Sequence, residues 1–444
     1  MDDVQSQDDS IARSAMPRVY WRVLPLICLA YLCAYMDRVN VSFASVQMNV
    51  DLEFSATIYG LGAGLFFLGY ALFEVPSNLL LVRFGARQWL ARIMITWGLL
   101  AAGMLFVQTP TQFYVMRFLL GVAEAGFFPG VIYYFAGWFP MAFRGRAVSF
   151  FYVASPLASI VMGGISGWLL GLSGVADLRG WQWLFLAQGL PSVLAGVLVL
   201  KFLPDAPTSV KWLSEPEKKW LQTTLAREAA VIGEPSSHNV FAAFRNPRVL
   251  MLAVIAFLML GATTTFTLSA PAVLTSSTGL DTTHVGYLVS AGGLIGAFTM
   301  LLAGWYSDKN GDRLLMALAC TIGLSCAYLA LGVSASPTII VVAYLLFASA
   351  CFTAAMLIAS SWADVIHVRE LAVGAAAINT VGNIGAFVMP YGWGIARDAT
   401  GTFQAATVAL AVTSVLLTAL IFGLRSRVRS AANRPALEAA SRVV

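Results

Sequence analysis

Apolar and polar positions fall in long blocks along this chain rather than in the narrow stripes of a soluble amphipathic fold. Apolar runs lie near 19–46, 56–81, 88–107, 112–138, 146–171 and 181–203, then near 248–276, 285–306, 314–333, 338–362, 371–396 and 402–424, with turn residues between them. A hydrocarbon core about 30 Å thick takes roughly 20 helical residues. Backbone groups in lipid must be satisfied within the segment itself, so runs of this length are helices. The pattern predicts an all-α polytopic membrane protein with twelve transmembrane helices in two six-helix halves. The expected organisation is an N-terminal tail over 1–18, a bundle over 19–203, a polar linker over 204–247, a second bundle over 248–424 and a tail over 425–444. Within the linker, Ser214-Glu215-Pro216-Glu217 followed by Lys218, Lys219 and Trp220 reads as a capped amphipathic helix.

Composition agrees. The chain is 59% hydrophobic and 11% charged, against about 25% charged in soluble domains. Its net charge of +5 is not a nucleic-acid signal, because the basic residues follow the loops. Arg13, Arg18, Arg22, Arg83, Arg87, Arg92, Arg144, Arg146, Lys309, Arg313, Arg369 and those of the linker and tail occupy one alternating set, while the other set holds Arg179 and Arg397. The positive-inside rule then puts both termini and the linker in the cytoplasm, which requires an even number of spans. The expected location is a bacterial inner membrane, with the bilayer as surroundings and the chain acting as a monomer. Met1–Pro17 is polar and acidic and lacks the apolar core of a removable signal peptide. The five cysteines sit in apolar runs and read as buried free thiols. No metal-ligand spacing, nucleophile–base pair or nucleotide loop stands out, so neither a metal, a cofactor nor an enzymatic activity is expected.

Charge inside the spans is concentrated in the first half: Asp37 and Arg38 in span 1, Glu74 in span 2, Arg117 and Glu124 in span 4. Insertion scales put such residues at about 2.5–3.5 kcal/mol each, and a solute or ion pathway is the usual reason to keep them. Arg117 and Glu124 are two turns apart on one face, and Tyr31, Tyr35 and Arg38 share a face of span 1. Mutual neutralisation of the four charges is the plainer reading, but a hydrophobic replacement is often at least as stable. The functional reading uses the charges in sequence: when a carboxylate is protonated, its arginine is released to bind an anion. Glu74, one turn beyond Tyr70 and beside Pro76, reads as a gate or packing contact. Asn379 and Asn383, at i and i+4 on span 11, are candidates for substrate contact, whereas the Thr263–Thr265 run of span 7 reads as structural, bonding its own backbone.

Two loops repeat one half apart. Asn78-Leu-Leu-Leu-Val-Arg83-Phe-Gly85-Ala-Arg87 and Gly304-Trp-Tyr-Ser-Asp308-Lys309-Asn-Gly311-Asp-Arg313 place basic residues and a glycine at matching offsets, which resembles the loop signature of the major facilitator superfamily. The first copy has Val82 where that family often has an acid. Tyr35-Met-Asp37-Arg38-Val-Asn40, Gly69-Tyr70 through Glu74-Val-Pro76-Ser-Asn78, Arg117 through Glu124-Ala-Gly126-Phe-Phe-Pro129-Gly130, and Asn379-Thr-Val-Gly382-Asn383 resemble its anion:cation symporter family, across nearly the whole chain. That resemblance implies proton-coupled uptake of a small organic anion by alternating access, with halves rocking about a midplane site. It implies Asp37 and Glu124 as proton carriers, Tyr35, Arg38, Tyr70, Arg117, Asn379 and Asn383 as substrate contacts, and Arg83, Arg87, Glu74, Asp308 and Arg313 as gating or loop positions. Sugar acids and tartrate-like carboxylates head the expected cargo. An anion exchanger, an aromatic-acid permease and a drug-type exporter of the same fold are the alternatives, and a membrane sensor is the remaining one. Span 7 departs from the family, ending Leu268-Ser269-Ala270-Pro271 without a tryptophan.

Overall fold

A computed structural model describes the backbone of residues 2–232, 244–310, 312–366 and 368–441, leaving aside the side chains of 2–9, 231–232, 308, 310, 363–364, 368–372 and 430–441. Every regular element among the described residues is helical: α1 Asp2–Asp51, α2 Ala56–Phe84, α3 Ala86–Gly103, α4 Pro110–Glu124, α5 Phe127–Ala136, α6 Met141–Tyr152, α7 Ala154–Leu170, α8 Gly180–Phe202, α9 Glu215–Ile232, α10 Pro247–Thr278, α11 Thr282–Asn310, α12 Arg313–Val333, α13 Pro337–Val365, α14 Val368–Thr400 and α15 Gln404–Ser441, with short 3-10 turns between some of them. Among the described residues, twelve spans are long and apolar enough to cross a bilayer, as the block pattern predicts. Span 4 is assembled from α4 and α5, and span 5 from α6 and α7.

The chain divides into two units: residues 1–234 with 281–290, and residues 235–280 with 291–444. The linker helix α9 thus groups with the first unit instead of standing apart. The cause is visible at Glu217, which accepts from the Ser14 hydroxyl (2.6 Å), from Arg18 (2.9 Å) and from the Ser214 backbone N–H (2.8 Å). Helix α1 accordingly starts well before residue 19, with Ala12, Ala15, Met16 and Val19 buried along it.

Within the first unit, α1 packs on α7 and α8, α2 on α4, and α3 on α8. In the second, α10 packs on α14, and α12 on α15 and α13. There Gly292 and Gly296 bring α11 against Ala348 and Phe352 of α13. Spans 1/5, 2/4 and 3/6 of one unit therefore pair as spans 7/11, 8/10 and 9/12 do in the other. Each unit repeats one architecture.

The α2–α4 contact sets where the charged residues of span 4 stand. A Cβ on Gly121 would overlap the Phe66 carbonyl, and one on Gly69 would stand 2.5 Å from the Phe118 carbonyl oxygen. Small residues let helix backbones approach closely in a bilayer, and here the approach carries α4 up to the Phe66–Tyr70 face of α2.

Candidate functional site

Four ionisable side chains meet between α1 and α4. Arg38 donates to Glu124 Oε1 at 2.7 Å, and Arg117 stands 4.0 Å from Asp37. The pairing is crossed: each arginine takes its acid from the other helix. Sequence spacing suggests Arg117 as a partner of Glu124 on the same face, but two turns of helix separate them. Adjacent Asp37 and Arg38 point about 100° apart on α1, so each reaches a different end of that face. The side chains of Asp37, Glu124 and Arg117 are 1–2% exposed, while Arg38 is 29% exposed. Arg38 is thus the more open of the two arginines, and Arg117, expected as a substrate contact, is enclosed.

The two pairs differ in quality. Glu124 holds a short charge-assisted bond, whereas neither oxygen of Asp37 has a hydrogen-bond partner among the described residues. Arg117 Nε and Nη1 are likewise unpartnered there. Such buried groups are costly unless the site uses them.

Aromatic rings cover the cations. The Arg38 guanidinium lies 5.2 Å from the Tyr35 ring centroid, 5.8 Å from Phe66 and 5.9 Å from Tyr70. Arg117 lies 4.9 Å from Phe66. Ring faces offer partial negative charge without carrying a proton, so Phe66 serves both arginines. The sequence reading missed Phe66, although its position one turn before Tyr70 puts it on the same face of α2. Tyr31 stacks on Phe151 at 3.9 Å and abuts Tyr35 at 5.1 Å, continuing the aromatic wall.

Glu124 is the last residue of α4. Ala125 leaves the helix and Gly126 takes φ 84°, after which α5 begins at Phe127. A continuous span 4 was expected, and the break follows from Gly126, the residue type that enters positive φ without steric penalty. A Cβ there would also come within 2.5 Å of Ser77 Oγ. The break puts Glu124 at a helix C-terminus, whose partial negative charge favours the neighbouring Arg38 cation.

Neutral groups fix α1 around the charges. Asn40 donates to the Leu184 carbonyl (3.1 Å) and Gln188 to the Cys33 carbonyl (3.3 Å), both ties to α8. Glu74 is buried on α2. Arg83 is exposed beside Phe84, and Arg87 pairs with Asp205 at 2.9 Å, tying the loop after span 2 to the start of the linker.

In the second unit, Asn383 is buried and donates to the Asn379 carbonyl at 3.0 Å, one turn earlier on α14. Thr263 and Thr265 bond their own backbone at Met259 and Gly261, as the structural reading expects. The side chain of Asp308 lies outside the described residues. The loop acid that does show partners is Asp312, which caps α12 through Leu315 N–H and receives Arg425 (2.9 Å) and Arg429 (2.9 Å). It stands next to Arg313, and its signal in the sequence is the N-cap position before Arg313-Leu-Leu. These bonds hold the Asp312 carboxyl below its ordinary range, the Arg425 bond contributing most. All five cysteines are unbridged, but only Cys33 is buried; Cys28, Cys320 and Cys351 are half-buried and Cys326 is exposed, against the expectation of burial.

Residues 27–390 match the model of the Major Facilitator Superfamily. A putative tartrate transporter of Agrobacterium vitis is 41% identical over 87% of this chain and 86% of its own. A quinolone resistance transporter of Acinetobacter baumannii is 39% identical over 91% of this chain and 92% of its own. Among solved structures, a bacterial homologue of the human lysosomal transporter Spinster, inward-facing and unoccupied, superposes with a TM-score of 0.71 at 18% identity, covering 92% of this chain and 97% of that one. Twelve spans, two repeated six-helix units and this match together make the chain a multi-pass membrane transporter, not an enzyme, and it belongs to the major facilitator superfamily.

Proposed function

We propose that the protein is a proton-coupled symporter that takes up a small organic anion, a sugar acid or tartrate-like carboxylate, in the manner of the anion:cation symporters. The observation that carries this reading is the Arg38–Glu124 bond at 2.7 Å, with Arg38 the accessible member. A proton on Glu124 removes the charge that holds Arg38, and the freed guanidinium, framed by Tyr35 and Tyr70, takes the substrate carboxylate. Asp37, with Arg117 at 4.0 Å, is a second proton site whose ion pair is loose enough to open without breaking a hydrogen bond. Arg117 then compensates Asp37 instead of touching cargo. Asn379 and Asn383 supply neutral polar groups that select among anions. The tartrate relative supports the cargo class. Both termini and the linker are assigned to the cytoplasmic side of an inner membrane, from the loop distribution of Lys and Arg.

The test is to add tartrate or a hexonate outside vesicles holding the purified protein and a lumenal pH dye. The lumen acidifies as substrate enters. Substrate uptake without proton movement overturns the coupling.

The quinolone relative favours a second reading, exchange or export of an aromatic acid through the same arginine and tyrosines. Counter-substrate loaded inside the vesicles separates the two: an exchanger requires it and a symporter does not.

A further inference from the structure

A cavity of about 700 Å³ lies in the first unit between the N-terminal part of α1 and α6, and none of Asp37, Arg38, Arg117 and Glu124 lines it. Its two sides are pinned together. Tyr20 donates to the Phe143 carbonyl at 2.7 Å, and Cys28 approaches the Phe150 carbonyl at 3.8 Å. Two exposed arginines, Arg13 and Arg146, line it, and no described carboxylate lies in ion-pair range of either. Arg146 sits 5.7 Å from the rings of both Tyr20 and Phe150, aimed by aromatic contact and not by an acid. The rest of the lining is apolar, through Leu24, Pro25 and Phe150, and Trp21 stands 80% exposed at its edge.

We propose that this cavity binds an anionic phospholipid, its phosphate held by Arg13 and Arg146 and one acyl chain lying along Leu24, Pro25 and Phe150. Charge complementarity selects the headgroup, because two guanidiniums without a described acidic partner suit a phosphate. The apolar floor selects a lipid over a free anion, since a hydroxylated acid would find no polar partners there. Tryptophan and arginine at a span end mark the depth of the headgroups, and basic pockets at this depth take anionic lipids. The proposal stands independently of the substrate assignment.

The experiment uses Trp21 as the reporter. Full-length protein in neutral detergent is titrated with brominated phosphatidylglycerol or brominated phosphatidylcholine, and the signal lost in Trp21→Phe isolates this residue from the other tryptophans. Half-quenching by the glycerol lipid is expected at a mole fraction at least threefold lower than by the choline lipid. Arg13→Gln/Arg146→Gln is expected to erase that preference while leaving quenching by the choline lipid. If the double variant does not fold, each single variant is expected to reduce the preference in part. Equal quenching by the two lipids, or a preference that survives these substitutions, overturns the proposal. Millimolar inorganic phosphate or tartrate that abolishes the preference also overturns it and assigns a small-anion site.

Discussion

Arg38 on α1 and Glu124 on α4 are joined at 2.7 Å, and Glu124 is the residue at which its helix stops. The acid that holds the accessible arginine therefore sits where the backbone changes course. In the proposed symport its protonation and the release of Arg38 are one local event. Glu124→Gln is expected to reduce proton-driven accumulation at least tenfold while preserving exchange of labelled for unlabelled substrate. Comparing uptake under an imposed pH gradient with exchange at equal pH checks it. Accumulation that survives would make Glu124 a packing residue.

Exposure separates the two arginines. Arg38→Ala is expected to weaken anion binding at least tenfold, measured by ligand titration of purified protein, and to lower the melting temperature as well, because Glu124 at 1% exposure loses its partner. Arg117→Leu is expected to lower the melting temperature with little effect on anion binding. It strands Asp37 in a buried site, a loss of about 3–5 kcal/mol. Asp37→Asn in the same chain should restore at least half of the lost melting temperature, since the stranded charge is then gone. Failure of that rescue would show that Arg117 acts through packing on Phe66 alone.

How much of this the sequence reveals depends on the physics of each feature. Spans are set by length and apolarity, which the sequence displays directly, so twelve are predicted and twelve are found among the described residues. The charged residues stand out for the same reason. Their crossed pairing does not, because it depends on how α4 is brought against its neighbours, and that depends on Gly121 meeting the Phe66 carbonyl. The break after Glu124 is hidden too. A glycine inside an apolar run is ordinary in a membrane helix, and only φ 84° distinguishes Gly126 from glycines that merely allow close packing.

Gly121→Ala tests that close approach. The new methyl has to displace the Phe66 carbonyl, and overpacking of this kind costs about 1–3 kcal/mol. Transport should fall more than stability does, because α2 carries Phe66 and Tyr70 away from the arginines as it moves. Melting temperature and uptake rate measured together distinguish this from a general loss of fold.

Glu217 gives a pH dependence with a definite sign. Burial raises its carboxyl, but bonds from Ser14 and Ser214 and the charge of Arg18 outweigh that and hold it below the usual value. Its contribution is complete above the unfolded value of about 4.3 and is lost as pH falls through the lower folded value. Hydrogen exchange over residues 215–232 is expected to stay slow down to about that pH and to quicken below it. Glu217→Gln should show the faster exchange already at pH 7.

Asp312→Ala removes a helix cap and the partner of Arg425 and Arg429 together. Loss of the cap costs about 1 kcal/mol, visible as a lower melting temperature. Asp312→Asn keeps a capping oxygen and should recover part of it; identical melting of the two variants would assign the effect to the arginines alone.

The crossed pairs have a consequence for inheritance. Asp37, Arg38, Arg117 and Glu124 all lie within one uninterrupted stretch of a single half, so the energy-converting part of the proposed symporter is encoded as one block. Asn379 and Asn383 lie in the other. Recombination or drift in the second half can then retune cargo while drive is kept, and relatives sharing the block could differ in diet without differing in power source.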